Sequence, residues 1–224
     1  MIFYYGSKSA DDPTPRLRMG VLMIGFMLTL KISVVSIIFA VIIGTVVGIA
    51  RLSKEPVTRG LSLAYVELIR NTPLLVQIYI IYFFVGSMLR LSAFVAGAAA
   101  LAIFAGAYVG EIVRAGIQAI PKGQMEAARS LGMPYGTAMR HIILPQAFKQ
   151  IIPPLAGQFI SLIKDSSLVS VIALADLMFQ GQQAVARTYS AFEIYFTVAF
   201  LYLVMTFTLS MATQYIERRL AISD

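Results

Sequence analysis

The chain has 224 residues, of which 58% are hydrophobic and 13% are charged. A soluble domain is about 45–50% apolar and about 25% charged, so this composition excludes an ordinary soluble protein and indicates an integral membrane protein of one domain. The net charge of +7 is what cytoplasmic loops rich in Lys and Arg produce, and it does not call for a nucleic-acid partner.

Several kinds of chemistry are excluded by missing residues. The chain has no cysteine and one histidine, His141, so it predicts no disulfide, no metal site and no catalytic cluster. The phosphate-binding pattern G-x-x-x-x-G-K-[ST] is also absent from the sequence. We therefore expect no cofactor in this chain and no ATP hydrolysis by the chain alone.

The apolar segments predict an all-α integral membrane fold. Residues 1–19 are polar and are expected to lie at the outer face, whereas residues 20–224 form the transmembrane domain. One crossing needs about 20 residues. Five transmembrane helices are predicted, at 20–50, 61–89, 93–117, 147–178 and 194–215. The fourth is expected to be broken at Lys164-Asp165-Ser166-Ser167.

The second and third predicted helices carry further signals. Thr72-Pro73 is expected to kink the second helix, because Pro73 has no N–H for the preceding turn. The third helix is rich in small residues, including Gly97, Gly106 and Gly110, which suit close helix contacts in lipid.

A polar stretch at about 118–146 separates the third and fourth apolar segments. Pro121 is a favourable first helical residue, and Gly132 suits the left-handed position just after a helix end. Pro134 can open a second short helix. The stretch therefore predicts a helix, a tight turn and a helix. Basic residues concentrate in this loop, in the 51–60 loop and at the C-terminus, which predicts an outer N-terminus and a cytoplasmic C-terminus.

The polar stretch resembles the EAA signature of ABC importer permeases. The match comprises Glu126-Ala127-Ala128, Gly132 and the segment Ile142-x-Leu144-Pro145. Other segments are similar to the polar amino acid branch of that family, which includes histidine, arginine and glutamine uptake systems. These segments are Thr29-Leu30-x-Ile32-Ser33, Arg70-Asn71-Thr72-Pro73-Leu74-Leu75-Val76-Gln77, Ala107-Tyr108-x-x-Glu111-Ile112-x-Arg114-x-Gly116-Ile117 and Lys164-Asp165-Ser166-Ser167-Leu168.

The resemblance implies a type I ABC importer permease fold, in which the EAA loop forms a cytoplasmic coupling helix seated in an ATPase subunit. The implied ATPase-coupling residues are Glu126, Ala127, Ala128, Gly132, Leu144 and Pro145. The implied partners are two ATPase subunits that bind ATP and Mg²⁺, a second permease copy or a paralogue, and an extracytoplasmic amino acid-binding protein. The chain itself is then a transporter subunit in the lipid bilayer of a prokaryotic cytoplasmic membrane, and is not an enzyme.

Charged and polar residues at membrane depth are the candidates for substrate contact. They are Glu67, Arg70, Asn71, Gln77, Tyr108, Glu111, Lys164, Asp165, Ser166 and Ser167. Each group has a structural alternative: Glu67 can pair with Arg70, and Glu111 with Arg114. Ser166 or Ser167 can cap a helix that begins near Leu168 and present free N–H groups to a carboxylate, or the break can be a hinge.

The leading interpretation is a permease subunit of an ATP-driven importer for polar amino acids, among which basic amino acids are a candidate substrate class. The same machine with another small solute is an alternative. A third interpretation, from a different class, is a channel or carrier that works without ATP.

Overall fold

The computed structural model describes the backbone of residues 15–221 and the side chains of residues 20–215. Residues 1–14, most of the predicted polar segment, lie outside the described residues. Between residues 15 and 221 the regular elements are helical, with ten α-helices. These are α1 (Pro15–Arg51), α2 (Pro56–Arg70), α3 (Leu74–Tyr79), α4 (Ser87–Leu89), α5 (Ala93–Gln118), α6 (Lys122–Ser130), α7 (Tyr135–Ala138), α8 (Leu144–Asp165), α9 (Leu177–Thr188) and α10 (Ala191–Ala221).

Tighter and wider helical turns join some of these helices. π-helical segments cover Ile80–Gly86 and Met139–Ile143, and a 3₁₀ helix covers Ser166–Ile172. The helical path is therefore continuous from Tyr135 to Ile172. Pro153 and Pro154 lie inside it, within α8.

The predicted number of crossings agrees with the structure. Among the described residues, four helical segments are long and apolar enough to cross a membrane, at Gly20–Arg51, Ala93–Gln118, Tyr135–Ile172 and Ala191–Tyr215. A fifth crossing is obtained when Pro56–Arg70 and Leu74–Leu89 are counted as one broken span.

The second span is interrupted more strongly than the predicted kink. Helix α2 ends at Arg70 and α3 begins at Leu74, with Asn71, Thr72 and Pro73 between them. The Thr72 hydroxyl donates to the Leu68 carbonyl at 2.9 Å and so satisfies part of the open helix end. Pro73 has no N–H with which to continue the ladder.

The described chain divides into two compact units. The first unit comprises the chain up to Ser36, Leu74–Leu101 and Ser161–Thr208, and the second comprises Ile37–Pro73, Ala102–Ile160 and the chain from Leu209. Helices α1, α5, α8 and α10 each contribute residues to both units.

The first unit has a core in which apolar and small polar side chains are buried together. Ile32, Ile78, Leu162, Val169 and Leu177 are fully buried there. The Ser36 hydroxyl donates to the Ala98 carbonyl at 3.2 Å, which joins α1 to α5. Small hydroxyl groups that bond to backbone in this way allow helices in lipid to approach closely.

In the second unit, α1 and α5 pack with glycine against glycine. A Cβ placed on Gly44 would lie 2.4 Å from the Val109 side chain, and one on Gly48 would lie 2.7 Å from the Gly110 carbonyl oxygen. No side chain fits at such distances. The sequence prediction that Gly106 and Gly110 mark a close contact is confirmed, because the Gly106 and Gly110 positions of α5 face Ile43 and Val47 of α1.

Candidate functional site

The polar hairpin (residues 121–145) begins as the sequence predicts, with a helix that ends at a glycine. Helix α6 ends at Ser130, and Gly132 has φ +82°, the left-handed conformation that glycine tolerates. The Gly132 N–H donates to the Arg129 carbonyl at 3.0 Å and the Met133 N–H to the Ala128 carbonyl at 3.1 Å. These two hydrogen bonds form a Schellman motif, so the turn is held by backbone geometry.

The two prolines of the hairpin each stand just before a helix, whereas Pro121 was predicted to be the first helical residue itself. Pro121 and Pro134 are the residues before the first helical residues of α6 and α7, with extended ψ angles of 132° and 149°. The second helix was predicted to be short, but the chain is helical without interruption from Tyr135 to Ile172. Leu144 and Pro145 therefore lie within the long helical segment from Tyr135 to Ile172, which contains the fourth candidate span.

The predicted coupling residues differ in their exposure. Glu126, Ala127 and Pro145 are exposed, and Leu144 is half-buried. Ala128, in contrast, is 1% exposed, and Ala138 of α7 is fully buried. The small size of Ala128 thus allows α6 to pack closely within the hairpin itself.

Two large, exposed side chains of the hairpin are not among the predicted coupling residues. Leu131 is 83% exposed and Tyr135 is 61% exposed, on either side of the Gly132 turn. Arg129 beside them donates to the Met133 carbonyl at 3.0 Å, which stiffens the turn. An exposed apolar pair on an otherwise polar loop is typical of a protein contact surface. The sequence signal for Leu131 is its place directly before Gly132, at the predicted turn.

A second group, the ionic cluster, lies in the second unit and consists of Arg51, Arg70, Glu111 and Arg114. Glu111 accepts from Arg51 of α1 at 2.5 Å and from Arg114 of its own helix at 2.8 Å. Arg114 also donates to the Gln118 side chain. The predicted Glu111–Arg114 pair is therefore formed, and Arg51 is an additional partner that the sequence did not indicate.

The predicted Glu67–Arg70 pair is not formed among the described residues. Glu67 instead accepts from the Asn71 side-chain amide at 3.0 Å. The Arg70 guanidinium stacks over the Tyr108 ring, 5.0 Å from its centroid. Arg70, Tyr108 and Glu111, which were separate candidates, are thus brought together between α2 and α5, whereas Gln77 lies beyond the break on α3 and is buried.

A cavity of about 420 Å³ opens beside the ionic cluster. Its polar wall consists of Arg70, Glu111 and Gln150, and the remaining wall comes from apolar and small residues of α5 and α8. Cavities that bind small molecules are commonly about 300–1,000 Å³, mostly apolar, with a few polar groups. The cavity has that character.

The segment Lys164–Ser167 is not the predicted helix start. The Ser166 hydroxyl donates back to the Ile163 carbonyl and the Ser167 hydroxyl to the Lys164 carbonyl, both at 2.7 Å. Neither serine caps a helix, because the chain continues from α-helix into 3₁₀ helix at this point. The break predicted for the fourth span takes the form of that change in helix type, and no row of free N–H groups is presented there.

The capped helix start lies ten residues further on, at Asp176. The buried Asp176 carboxylate accepts from the Phe179 N–H at 2.9 Å and thereby caps α9. Its other oxygen lies 3.5 Å from the Tyr202 hydroxyl of α10, and Thr29 of α1 accepts from the Leu177 N–H at 3.1 Å. Asp176 is not among the residues predicted from the sequence, although an Asp just before a helical pattern is a signal for a helix start.

No group of three or more His, Cys, Asp or Glu side chains suited to a metal ion occurs in the part of the chain that the structure describes.

The family model described as "Binding-protein-dependent transport system inner membrane component" matches residues 36–222. The chain belongs to this family. It is therefore a multi-pass inner membrane component of a transport system that depends on a binding protein.

Relatives of this inner membrane component are named as amino acid permeases. In Bacillus subtilis, the probable glutamine ABC transporter permease protein GlnM is 46% identical over 88% of this chain and 92% of the relative. The arginine transport system permease protein ArtQ is 40% identical over 89% of this chain and 92% of the relative. The L-cystine transport system permease protein TcyB is 42% identical over 88% of this chain and 85% of the relative.

Solved structures agree with the fold of the inner membrane component. A crystal structure of an amino acid ABC transporter with histidines superimposes with a TM-score of 0.84 at 42% identity, covering 90% of this chain and 94% of that one. An inward-facing structure of the MetNI methionine ABC transporter has a TM-score of 0.79 at 23% identity, covering 90% of this chain and 97% of that one. At this identity the similarity shows the fold alone.

Proposed function

We propose that this inner membrane component is the permease subunit of an ATP-driven importer of polar amino acids. The observation that carries the substrate class is the set of relatives: three chains at 40–46% identity over nearly their whole length are named for glutamine, arginine and cystine. These molecules differ in side chain and share the α-carboxylate and α-ammonium groups. The substrate class is therefore defined by these two shared groups.

ATP is hydrolysed by a partner subunit in this proposal. The chain has no phosphate-binding loop in its sequence, so a stiff mechanical connection to a separate ATPase is required. The polar hairpin is suited to that role, because its turn is fixed by the Gly132 backbone and its tip exposes Leu131 and Tyr135. Glu126 and Ala127 lie exposed on α6 beside them.

The small number of spans supports an assembly with further subunits. Five crossings do not readily enclose a solute pathway, so a second copy or a paralogue is expected to complete it. Two ATPase subunits would then bind ATP and Mg²⁺ at the cytoplasmic face, and an extracytoplasmic binding protein would deliver the amino acid. The hairpin and the C-terminus lie in the cytoplasm in this arrangement, and the N-terminus lies outside; the distribution of basic residues supports this orientation.

A pair of glycine substitutions in the hairpin tests the coupling. Gly132→Val places a β-branched residue at φ +82°, and Gly136→Ala adds a methyl group to helical backbone with nothing within 4 Å. In proteoliposomes with the ATPase and binding protein, we expect Gly132→Val to lose ATPase co-purification and uptake of labelled L-glutamine, L-arginine or L-cystine. Gly136→Ala should retain both. Normal co-purification and uptake in Gly132→Val would exclude the coupling role.

A further inference from the structure

The cavity beside the ionic cluster has an unusual balance of charge. Glu111 is its one acidic side chain, and that carboxylate already accepts hydrogen bonds from Arg51 and Arg114. Arg70 is the one basic side chain of the cavity wall, and Arg51 and Arg114 contact Glu111 without lining the cavity. Because those two guanidinium groups balance the Glu111 carboxylate, the positive charge of Arg70 favours an anionic ligand.

Arg70 is held in a way that leaves its donors available. The guanidinium lies over the Tyr108 ring at 5.0 Å, so the ring occupies one face of the group. The N–H groups point outward in the guanidinium plane, and Arg70 donates no hydrogen bond to any described residue. A planar fork of free donors matches the two oxygens of a carboxylate.

Gln150 of α8 supplies a neutral polar group at the same cavity. Its exposed side-chain amide makes no hydrogen bond within the described residues, and its carbonyl oxygen is an acceptor of the kind an ammonium group needs. The rest of the wall is apolar or small, from Ile112, Ala115, Gly116 and Pro154 among others. Such a wall accommodates side chains without selecting among them by hydrogen bonds.

We propose that this cavity binds the α-carboxylate of the transported amino acid through Arg70, while the Gln150 carbonyl accepts from the α-ammonium group. This inference rests on the proposed function and adds to it the atoms by which the substrate is held. It assigns recognition in the cavity to the groups that all α-amino acids share. Arg51 and Arg114 act indirectly, because they neutralise Glu111 and so prevent it from competing for Arg70.

The test compares each amino acid with its α-carboxamide, which has the same shape without the negative charge. The purified complex of permease and ATPase, in nanodiscs of phosphatidylcholine, is titrated with L-glutamine, L-arginine and L-cystine and with their α-amides. For the amino acid that binds most tightly, we expect the amide to bind about tenfold or more weakly, as for loss of a charge-assisted hydrogen bond.

Substitution of Arg70 then assigns this preference to one residue. In Arg70→Gln the acid is expected to bind about tenfold or more weakly, and the difference between acid and amide should disappear. Arg70→Lys, which keeps the charge without the fork, should keep part of the difference. Arg59→Gln is the matched control, since Arg59 also lies on α2 but not at the cavity, and it should keep the full difference.

Three other results would contradict the carboxylate site or the proposed function. An acid preference that persists in Arg70→Gln, or its absence in the wild-type complex, would overturn the carboxylate site. Weaker amino acid binding in phosphatidylglycerol nanodiscs, relieved by Arg70→Gln, would make a lipid phosphate the occupant and also overturn it. If the wild-type complex neither binds nor transports any of the three amino acids, the proposed function itself is wrong. If transport occurs and is unaffected by Arg70→Gln, the carboxylate site is wrong and the proposed function stands.

Discussion

The guanidinium of Arg51, at the end of α1, contacts the carboxylate of Glu111 on α5 at 2.5 Å, across 60 positions of sequence. The side chains are 14% and 20% exposed, so the pair is largely shielded from water. Arg114 completes the arrangement from the other side of the carboxylate. One acidic residue thus links two helices of the second unit and determines the charge around the cavity.

Glu111→Gln should destabilise the permease. The substitution leaves Arg51 and Arg114 close together without a negative charge between them, and removal of one partner from a shielded pair commonly costs about 1–3 kcal/mol. A lower thermal unfolding midpoint of the detergent-solubilised chain, followed by circular dichroism, is the expected result. Glu126→Gln, at an exposed position with no ion pair among the described residues, should leave the midpoint unchanged. Equal midpoints for wild type and Glu111→Gln would contradict the linking role.

Gly48→Ala should disrupt the contact between α1 and α5. The new methyl group would lie 2.7 Å from the Gly110 carbonyl oxygen and 2.8 Å from the Val113 Cβ, so the helices must separate. Overpacking of this kind costs about 1–3 kcal/mol. Gly60→Ala provides the control within α2, where nothing lies within 4 Å, and there the gain in helix propensity should stabilise by up to about 1 kcal/mol. The unfolding midpoints should therefore move in opposite directions, and a shared direction would refute the packing argument.

Asp176 should make stability depend on pH. Burial raises the pKa of this carboxyl to about 6 from its ordinary value of 3.8, against the opposing effect of the Phe179 N–H. The folded chain therefore holds the proton more tightly than the unfolded chain between these values, and stability falls as pH rises through that window. The Tyr202 hydroxyl is the titratable group that faces Asp176 from α10.

Asp176→Asn should remove this dependence. The amide keeps an oxygen for the Phe179 N–H and carries no charge, so the variant should unfold at a higher temperature than wild type at pH 7.5, by as much as about 3 kcal/mol of unfolding free energy. Asp176→Ala, which loses the helix cap, should be less stable than Asp176→Asn at every pH. A wild-type midpoint that is constant between pH 4 and pH 7 would show that the burial of Asp176 has no such effect.

Leu131→Ser should weaken the ATPase contact without affecting the fold. The side chain is 83% exposed in the chain alone, so its removal costs little stability, but it removes apolar area from the proposed contact surface. We expect several-fold less ATPase to co-purify, with an unchanged unfolding midpoint. Leu89→Ser, at a 65% exposed position of α4, is the matched control. If both variants retain the ATPase equally, Leu131 does not contribute to the contact.

Much of the hairpin followed from residues adjacent in sequence. The left-handed turn at Gly132 was predicted because glycine is the residue that takes positive φ without strain, and the structure has φ +82° there. The close packing of α5 followed similarly from its small residues. The predictions failed where a local signal competed with helix continuity, as at Ser166 and Ser167, whose hydroxyls bond back to the preceding turn.

The sequence by itself determined the membrane class, the number of apolar segments, the turn at Gly132 and the family, because composition, segment length and backbone preference depend on each residue and its near neighbours. Tertiary structure alone decided that Arg51 meets Glu111, that Arg70 stacks on Tyr108, and that Thr29 bonds to Leu177 across 148 positions. These pairings depend on which helix faces come together, and packing of the whole chain selects them. The cavity and its charge balance are consequences of that selection.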